Sequence, residues 1–78
     1  MASREQNERK FGSWRELPNG GRLYSLTIRG RYGWQARYLK EVDADENTTR
    51  FWQEILDENG KVVEIHEKFP NDQGHRRV

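Results

Sequence analysis

Apolar and polar residues alternate with a period of two along most of the chain, and this pattern predicts β-strands. RLYSLTIR at 22–29 and WQARYLKEV at 34–42 place aromatic and β-branched residues at every second position, as in a strand that buries one side. RFWQEILDENGKVVEIHEKF at 50–69 contains two further strands around the turn DENGK. The strands are separated by turn and loop sequences, namely PNGG (18–21), GRYG (30–33) and DADENTT (43–49).

The apolar residues of the last hairpin decide between two strand registers. A two-residue Asn59-Gly60 turn would place Ile55 opposite Glu64, which puts a charge against the core. A three-residue loop with Gly60 in the left-handed conformation places Ile55 opposite Val63. That register brings one apolar set to a single face, consisting of Phe51, Ile55, Val63, Ile65 and Phe69. We predict this second register, because a slip of one residue would turn the apolar set outward.

The predicted fold class is all-β, a small antiparallel meander of four to five strands that is strongly twisted or barrel-like. Residues 13–17 form the fifth strand or a helical turn. Strand alternation places most of the apolar side chains on one face of this sheet, which has to be covered. We expect the sheet to curl and this face to be capped by Phe11, Trp14 and Leu17, or two copies of the protein to dimerise face to face.

The two ends of the chain are predicted to lie outside this fold. Residues 1–10 contain no large apolar residue after Met1, so they are expected to be a mobile, flexible polar tail. Ser3 and Gln6 match a capping box, but a helix there would have no face to bury. Residues 11–70 are predicted to be a single β domain, and residues 71–78 a polar C-terminal tail.

Composition narrows the classes of function. A chain of 78 residues with 32% hydrophobic content builds a modest core. The absence of cysteine excludes disulfides, Cys-ligated zinc and a thiol nucleophile. No apolar run exceeds three residues, which predicts a chain that does not enter a membrane, carries no secretory signal and resides in the cytoplasm. No cofactor is expected.

Charge is distributed unevenly although the net charge is only +1. Residues 1–40 carry nine Lys and Arg against three Glu, and residues 41–78 carry five against ten acidic residues. This asymmetry indicates either a polyanion-binding side or two halves that neutralise each other across one sheet. In the second case Arg37 meets Glu54 on the neighbouring strand.

Basic and aromatic residues are interleaved in RGRYGWQARYLK at 29–40. Strand parity sends Trp34 and Tyr38 to the core face, so part of this pattern is that of any half-buried strand. The remaining residues could contact phosphates while an exposed aromatic ring stacks on a base. The nucleic-acid candidates are Arg22, Arg29, Arg31, Tyr32 and Arg37.

Apolar residues also occur at the parity that should face water, and exposed apolar clusters tend to be binding sites. Trp52 is the expected anchor because Trp is enriched among interface hot spots. The protein-interaction candidates are Trp52, Leu39, Leu56, Val62 and His66. The alternative is that the N-terminal segment covers this side, or that Trp52 lies over its cross-strand neighbour His66 and the stem of a long charged side chain.

No catalytic constellation can be assembled from the sequence. His66, Glu67, Asp72 and His75 are residue types that bind metals or move protons, but their spacing matches no metal motif. We therefore expect no enzyme and no metal site. The expected function is a small soluble binding module for a protein partner or a second copy of itself, with single-strand or RNA binding as the alternative.

Overall fold

The computed structural model describes residues 3–78 of the chain. These residues form one α-helix, α1 (Arg4–Phe11), and a short 3-10 turn at Arg31–Gly33. They also form six strands, which are β1 (Ser13–Glu16), β2 (Arg22–Arg29), β3 (Gln35–Val42), β4 (Thr48–Leu56), β5 (Val62–Phe69) and β6 (Gly74–Arg77).

The strands form one antiparallel sheet in chain order from β1 to β6, and the sheet is not closed into a barrel. The predicted all-β antiparallel meander is therefore confirmed. The four central strands are present, and residues 13–16 form the fifth. In the described chain no helix is long and apolar enough to cross a membrane.

A sixth strand lies in residues 71–78, where a polar tail was predicted, so that prediction is wrong. β6 pairs with β5 and places His75 opposite His66 and Arg77 opposite Glu64. His75 Nδ1 lies 2.8 Å from Glu64 Oε1. Cross-strand polar pairs of this kind hold a short strand that has no apolar side chain to bury.

The prediction of a polar tail at residues 1–10 is also wrong where the structure describes them, because residues 4–11 form α1; residues 1 and 2 lie outside the described residues. The capping box is present: Ser3 Oγ accepts from the Gln6 backbone N–H at 3.2 Å, and Gln6 Oε1 accepts from the Ser3 N–H at 2.9 Å. The helix does bury a face, which consists of Asn7 and Phe11 one turn apart. Asn7 is polar, and so the apolar pattern missed it.

The register of β4 and β5 differs from the prediction. The turn-forming part is right: Leu56 pairs with Val62, and Gly60 is left-handed with φ 80°. A register shift then places Ile55 opposite Glu64, the pairing that strict alternation disfavoured. The extra residue in β5 is a β-bulge, which reverses the side that each following residue faces.

A second shift near Lys68 restores the first parity, so that Phe69 lies opposite Phe51. Between the two shifts, Ile65 and Glu67 share a face with Trp52, and Glu64 and His66 lie on the other face. Strict alternation had put Ile65 on the core side and His66 beside Trp52, so both placements are corrected.

The sheet has two faces that differ in what covers them. The helix-bearing face carries Tyr24, Leu26, Ile28, Ala36, Tyr38, Val42, Phe51 and Ile55. The open face carries Leu23, Leu39, Trp52, Leu56, Val62 and Ile65. Phe11 of α1 packs on the first of these faces, with its ring 5.8 Å from Tyr24 and 6.3 Å from Phe51. Of the expected cap only Phe11 belongs to the helix, since Trp14 lies in β1 and Leu17 in the following turn.

A polar network fastens α1 to the sheet. The Glu46 carboxylate accepts a hydrogen bond from Asn7 Nδ2 at 3.1 Å and another from the Tyr24 hydroxyl, and Lys40 Nζ donates to Asn7 Oδ1 at 2.9 Å. Glu46 adopts φ 68° at the turn position where the β1–β2 and β4–β5 hairpins have Gly20 and Gly60. Its backbone thus takes a conformation that costs free energy for a side chain, and the network stabilises it.

Candidate functional site

The structure separates the five nucleic-acid candidates. Arg22 lies at the far end of β2 on the helix-bearing face. Its Nη1 is 2.6 Å from Glu8 Oε2 and its Nε is 3.0 Å from Glu16 Oε1, and the bond to Glu8 raises the pKa of the guanidinium. Its charge is neutralised within the fold and it lies away from the other candidates.

Arg37 is also paired inside the molecule. Its Nε and Nη2 lie 2.9 Å and 2.6 Å from Glu54 Oε1 on β4. This is the cross-strand pair expected if the two halves of the chain neutralise each other, and it accounts for part of the charge asymmetry without any ligand.

Arg29, Arg31 and Tyr32 remain together at the turn between β2 and β3. Tyr32 is 89% exposed, the highest value among the large hydrophobic residues of the described chain. Trp34, which strand parity placed in the core, follows in the same turn and is 40% exposed. The turn therefore presents two aromatic rings and two guanidinium groups.

The protein-interaction candidates on the open face are less accessible than their parity suggests. Leu39, Trp52 and Leu56 are buried, with Trp52 only 7% exposed, and Val62 is half-buried. The Arg50 guanidinium lies 3.9 Å from the Trp52 ring centroid, and Trp52 Nε1 donates to Glu54 Oε2 at 3.3 Å. A long charged side chain thus covers the ring, as one of the alternatives predicted, whereas the N-terminal segment and His66 lie on the other face. Binding through these residues stays a prediction.

His66 lies on the helix-bearing face next to β6. Its Nε2 is 2.6 Å from Asp72 Oδ1, and its ring centroid is 4.5 Å from that of His75. The structure therefore brings together three of the four residues that the sequence singled out, while Glu67 points to the other face as expected. Residues 3–78 contain no group of three or more His, Cys, Asp or Glu arranged to hold a metal ion.

A groove beside α1 is the feature that the sequence did not indicate. Its floor and walls are apolar and consist of Phe11, Leu26, Ile28, Tyr38 and Phe51, and its volume is about 380 Å³. Lys10 and Lys68 line its rim. We refer to these seven residues as the lysine-rimmed groove. Strand parity had assigned Leu26, Ile28, Tyr38 and Phe51 to the apolar face of the sheet, and Phe11 was expected in the segment that caps it.

The groove exists because α1 is shorter than the strands it covers. The helix contacts β1 and β2 and closes the region around Tyr24 and Val42, which are both buried. Ile28, further along β2, is 49% exposed. The sequence does not indicate how far along β2 the helix covers the sheet, because this depends on the position at which Phe11 packs on the sheet.

The ammonium groups of the rim lie over aromatic rings. Lys68 Nζ is 5.3 Å from the Tyr38 ring centroid and 5.6 Å from that of Phe51, and Lys10 Nζ is 5.7 Å from the Phe11 centroid. Lys40 lies close by, and burial together with the charge of Lys10 lowers the pKa of the Lys40 amine. The ammonium groups of Lys10 and Lys68 therefore place positive charge on both sides of the apolar groove.

No protein-family model, curated protein or solved structure matches this chain.

Proposed function

We propose that this protein is a protein-interaction module that binds an apolar, carboxylate-bearing segment of a partner protein in the lysine-rimmed groove. The observation that carries the proposal is the groove itself, an apolar cleft of about 380 Å³ with two lysines on its rim. A cleft lined by aromatic and aliphatic side chains with a few charged groups is the common form of a binding site.

The groove is preferred to the open face because its apolar side chains are available. Ile28 on its floor is 49% exposed, whereas Trp52 on the open face is 7% exposed. Free energy of binding comes from apolar area removed from water. A partner can therefore gain more from the groove than from side chains that are already buried.

The charge of the rim selects the partner's chemistry. Within residues 3–78, neither Lys10 nor Lys68 forms an ion pair. Hydrogen bonds from the Gly74 N–H and from His66 lower the pKa of the Asp72 carboxyl, and the charge of Lys68 adds to this effect from a distance. Complementary charge across an interface favours correct partners and disfavours like-charged ones. Carboxylates flanking apolar residues match the rim, and a basic segment does not.

A pair of synthetic peptides tests the proposal with fluorescence anisotropy at near-physiological salt. One peptide alternates Leu and Glu, and the other alternates Leu and Lys at equal length. We expect the Leu–Glu peptide to bind and the Leu–Lys peptide to bind at least about tenfold more weakly, since like-charge contacts oppose binding. The double change Lys10→Gln and Lys68→Gln should remove this preference.

Lys61→Gln is the matched control, because Lys61 is an exposed lysine in the β4–β5 turn outside the groove. Ile28→Ser should weaken binding of the Leu–Glu peptide without unfolding the protein, because Ile28 is half exposed. Equal affinity for both peptides, or binding unaffected by Ile28→Ser, would contradict the proposal. A concentration-dependent dimer in sedimentation that Ile28→Ser dissociates would show that a second copy occupies the groove instead.

A further inference from the structure

The β2–β3 turn holds an aromatic residue in an unfavourable backbone conformation. Tyr32 has φ 60° and ψ 28°, Gly33 has φ 79°, and the Trp34 N–H donates to the Arg31 carbonyl at 3.0 Å. These are the signs of φ in a type I′ turn, whose first central position favours Asn, Asp or Gly. Tyr32 is 89% exposed, so burial of its ring does not offset the strain. Such an outlier points to a use for the side chain outside the fold.

Two guanidinium groups flank this tyrosine. Among the described residues, Arg29 and Arg31 take part in no ion pair, in contrast to Arg22 and Arg37. Arg29 ends β2 and Arg31 begins the turn. Both remain available to an anionic ligand that contacts Tyr32.

A pocket lies at the base of the same turn. Its volume is about 350 Å³, and it is lined by Arg29, Gly30, Gly33, Trp34 and Gln35. Trp34 is 40% exposed, so its ring offers a second apolar surface near Tyr32.

We propose that this turn binds single-stranded nucleic acid, with Tyr32 and Trp34 stacking on bases and Arg29 and Arg31 contacting phosphates. Stacking on aromatic side chains combined with cationic contacts to the backbone is how proteins bind single strands without reading their sequence. A duplex does not fit this description because its bases are already stacked on each other. The site shares no residue with the lysine-rimmed groove, so it stands or falls independently of the proposed function.

One acidic residue limits the site. A Cβ added to Gly33 would lie 3.3 Å from Glu58 Cβ, so the Glu58 side chain begins beside the turn and its carboxylate repels phosphates. Glu58→Gln should therefore strengthen binding, which is the opposite of the usual effect of changing a residue near a site.

The test is anisotropy of fluorescein-labelled oligothymidylate and oligouridylate, each about 12 nucleotides long, a length within the range of single-strand sites. We expect both to bind at low salt. Two phosphate contacts predict that the logarithm of the association constant falls with the logarithm of salt with a slope of about −1.4. A labelled duplex of mixed sequence should bind several-fold more weakly.

Tyr32→Asn is the decisive variant because Asn suits the type I′ position. It should unfold at a higher temperature than the parent protein and still lose about 5- to 150-fold in affinity for the single strand, the loss expected for one stacked base. Tyr32→Phe should retain binding. Arg31→Gln should make the salt dependence less steep, changing its slope from about −1.4 to about −0.7. Arg9→Gln changes an exposed arginine of α1 and should leave the slope unchanged.

Several outcomes would overturn the inference. These are no binding at low salt, equal binding of the duplex, or an affinity that Tyr32→Asn leaves unchanged. If Tyr32→Asn abolished binding of the Leu–Glu peptide, the turn would be part of a peptide-binding site instead. If the changes at Lys10, Lys68 and Ile28 did not alter binding of the peptide, the proposed groove function would fail, but the evidence for single-strand binding by the turn would be unaffected.

Discussion

The two faces of the sheet bury their apolar side chains by different means. On the helix-bearing face, α1 covers Tyr24 and Val42 completely but leaves Ile28 half exposed. No helix packs on the open face, yet Trp52 is almost inaccessible there. The face with a second layer is thus the one that keeps an accessible apolar groove.

Long charged side chains explain this difference. On the open face Arg50 stacks on Trp52, and its Nε donates to Glu67 Oε1 at 2.9 Å. The pair of Arg37 and Glu54 lies on the same face. Arginine can lay its apolar stem and planar group over a hydrophobic surface while its charge stays hydrated or paired. Exposed apolar residues therefore cannot be inferred from strand parity alone when arginines share the face.

The sharpest test of this comparison is Trp52→Ala. If Trp52 is a core residue, its truncation should lower the free energy of unfolding by about 3–5 kcal/mol, the cost of removing a buried aromatic side chain. Urea denaturation followed by far-UV circular dichroism measures this loss. A variant that is already unfolded without urea also meets the expectation.

Trp34→Ala is the matched control, since Trp34 is half exposed in the β2–β3 turn. It should cost less than Trp52→Ala, because 40% of the Trp34 surface is already in contact with water and contributes nothing to burial. If Trp52→Ala cost no more than Trp34→Ala, the open face would be accessible after all, and the sequence-based view of Trp52 as an exposed anchor would be favoured.

A smaller effect is expected for Asn7→Ala on the other face. Asn7 is 1% exposed and bonds Glu46 and Lys40, so its removal leaves a half-buried carboxylate and a half-buried ammonium each short of a partner. We expect a loss of about 1–3 kcal/mol in urea denaturation. Arg9→Ala, at an exposed site of α1, should change stability by less than about 0.5 kcal/mol, and an equal effect of both changes would refute the role of the network.

Much of the sheet could be read from the sequence, and the reasons for the errors are specific. The strand at 22–29 was predicted to the residue because its alternation is uninterrupted. The β4–β5 register was wrong beyond the turn because a bulge at Val63 reverses parity, and pattern reasoning assumes no bulge. The helix was missed because Phe11 is the only apolar residue that it buries and the other buried residue is Asn7, whose partners lie far along the chain at Glu46 and Lys40.

The candidate sites divide in the same way. Arg29, Arg31 and Tyr32 could be grouped from the sequence because a single turn contains them. The groove could not be found, because it depends on how far α1 extends over β2 and on Lys68 reaching across Tyr38 and Phe51. Sites built from one loop are visible in sequence, and sites built by packing of distant segments are not.

Low pH should reduce the stability that carboxylates on both faces of the sheet give to the fold. Burial acts to raise the pKa of Glu46, but hydrogen bonds from Tyr24, Asn7 and Arg4 outweigh it and keep that pKa below its ordinary value of 4.5. The Arg50 hydrogen bond likewise lowers the pKa of Glu67. A carboxylate whose pKa is lower in the folded state stabilises the fold above its unfolded pKa, and this stabilisation is lost as the pH falls through the folded value.

The urea midpoint should therefore be flat near neutral pH and fall as the pH drops below about 4.5, the unfolded pKa of glutamate. Glu46→Gln and Glu67→Gln should each make this fall shallower, because each removes one titrating group. An unchanged slope in both variants would mean that other carboxylates dominate acid unfolding.

The smallest expected effect concerns the pair of Arg37 and Glu54. Its atoms are close, but both side chains remain partly accessible, and ion pairs of this kind contribute little because water and salt screen them. A double-mutant cycle with Arg37→Gln and Glu54→Gln should give a coupling of at most about 1 kcal/mol, and added salt should reduce it. A much larger coupling would mean that this pair helps to seal Trp52, through the Glu54 carboxylate that accepts from its indole N–H, and the charged cover of the open face would then be a cooperative unit.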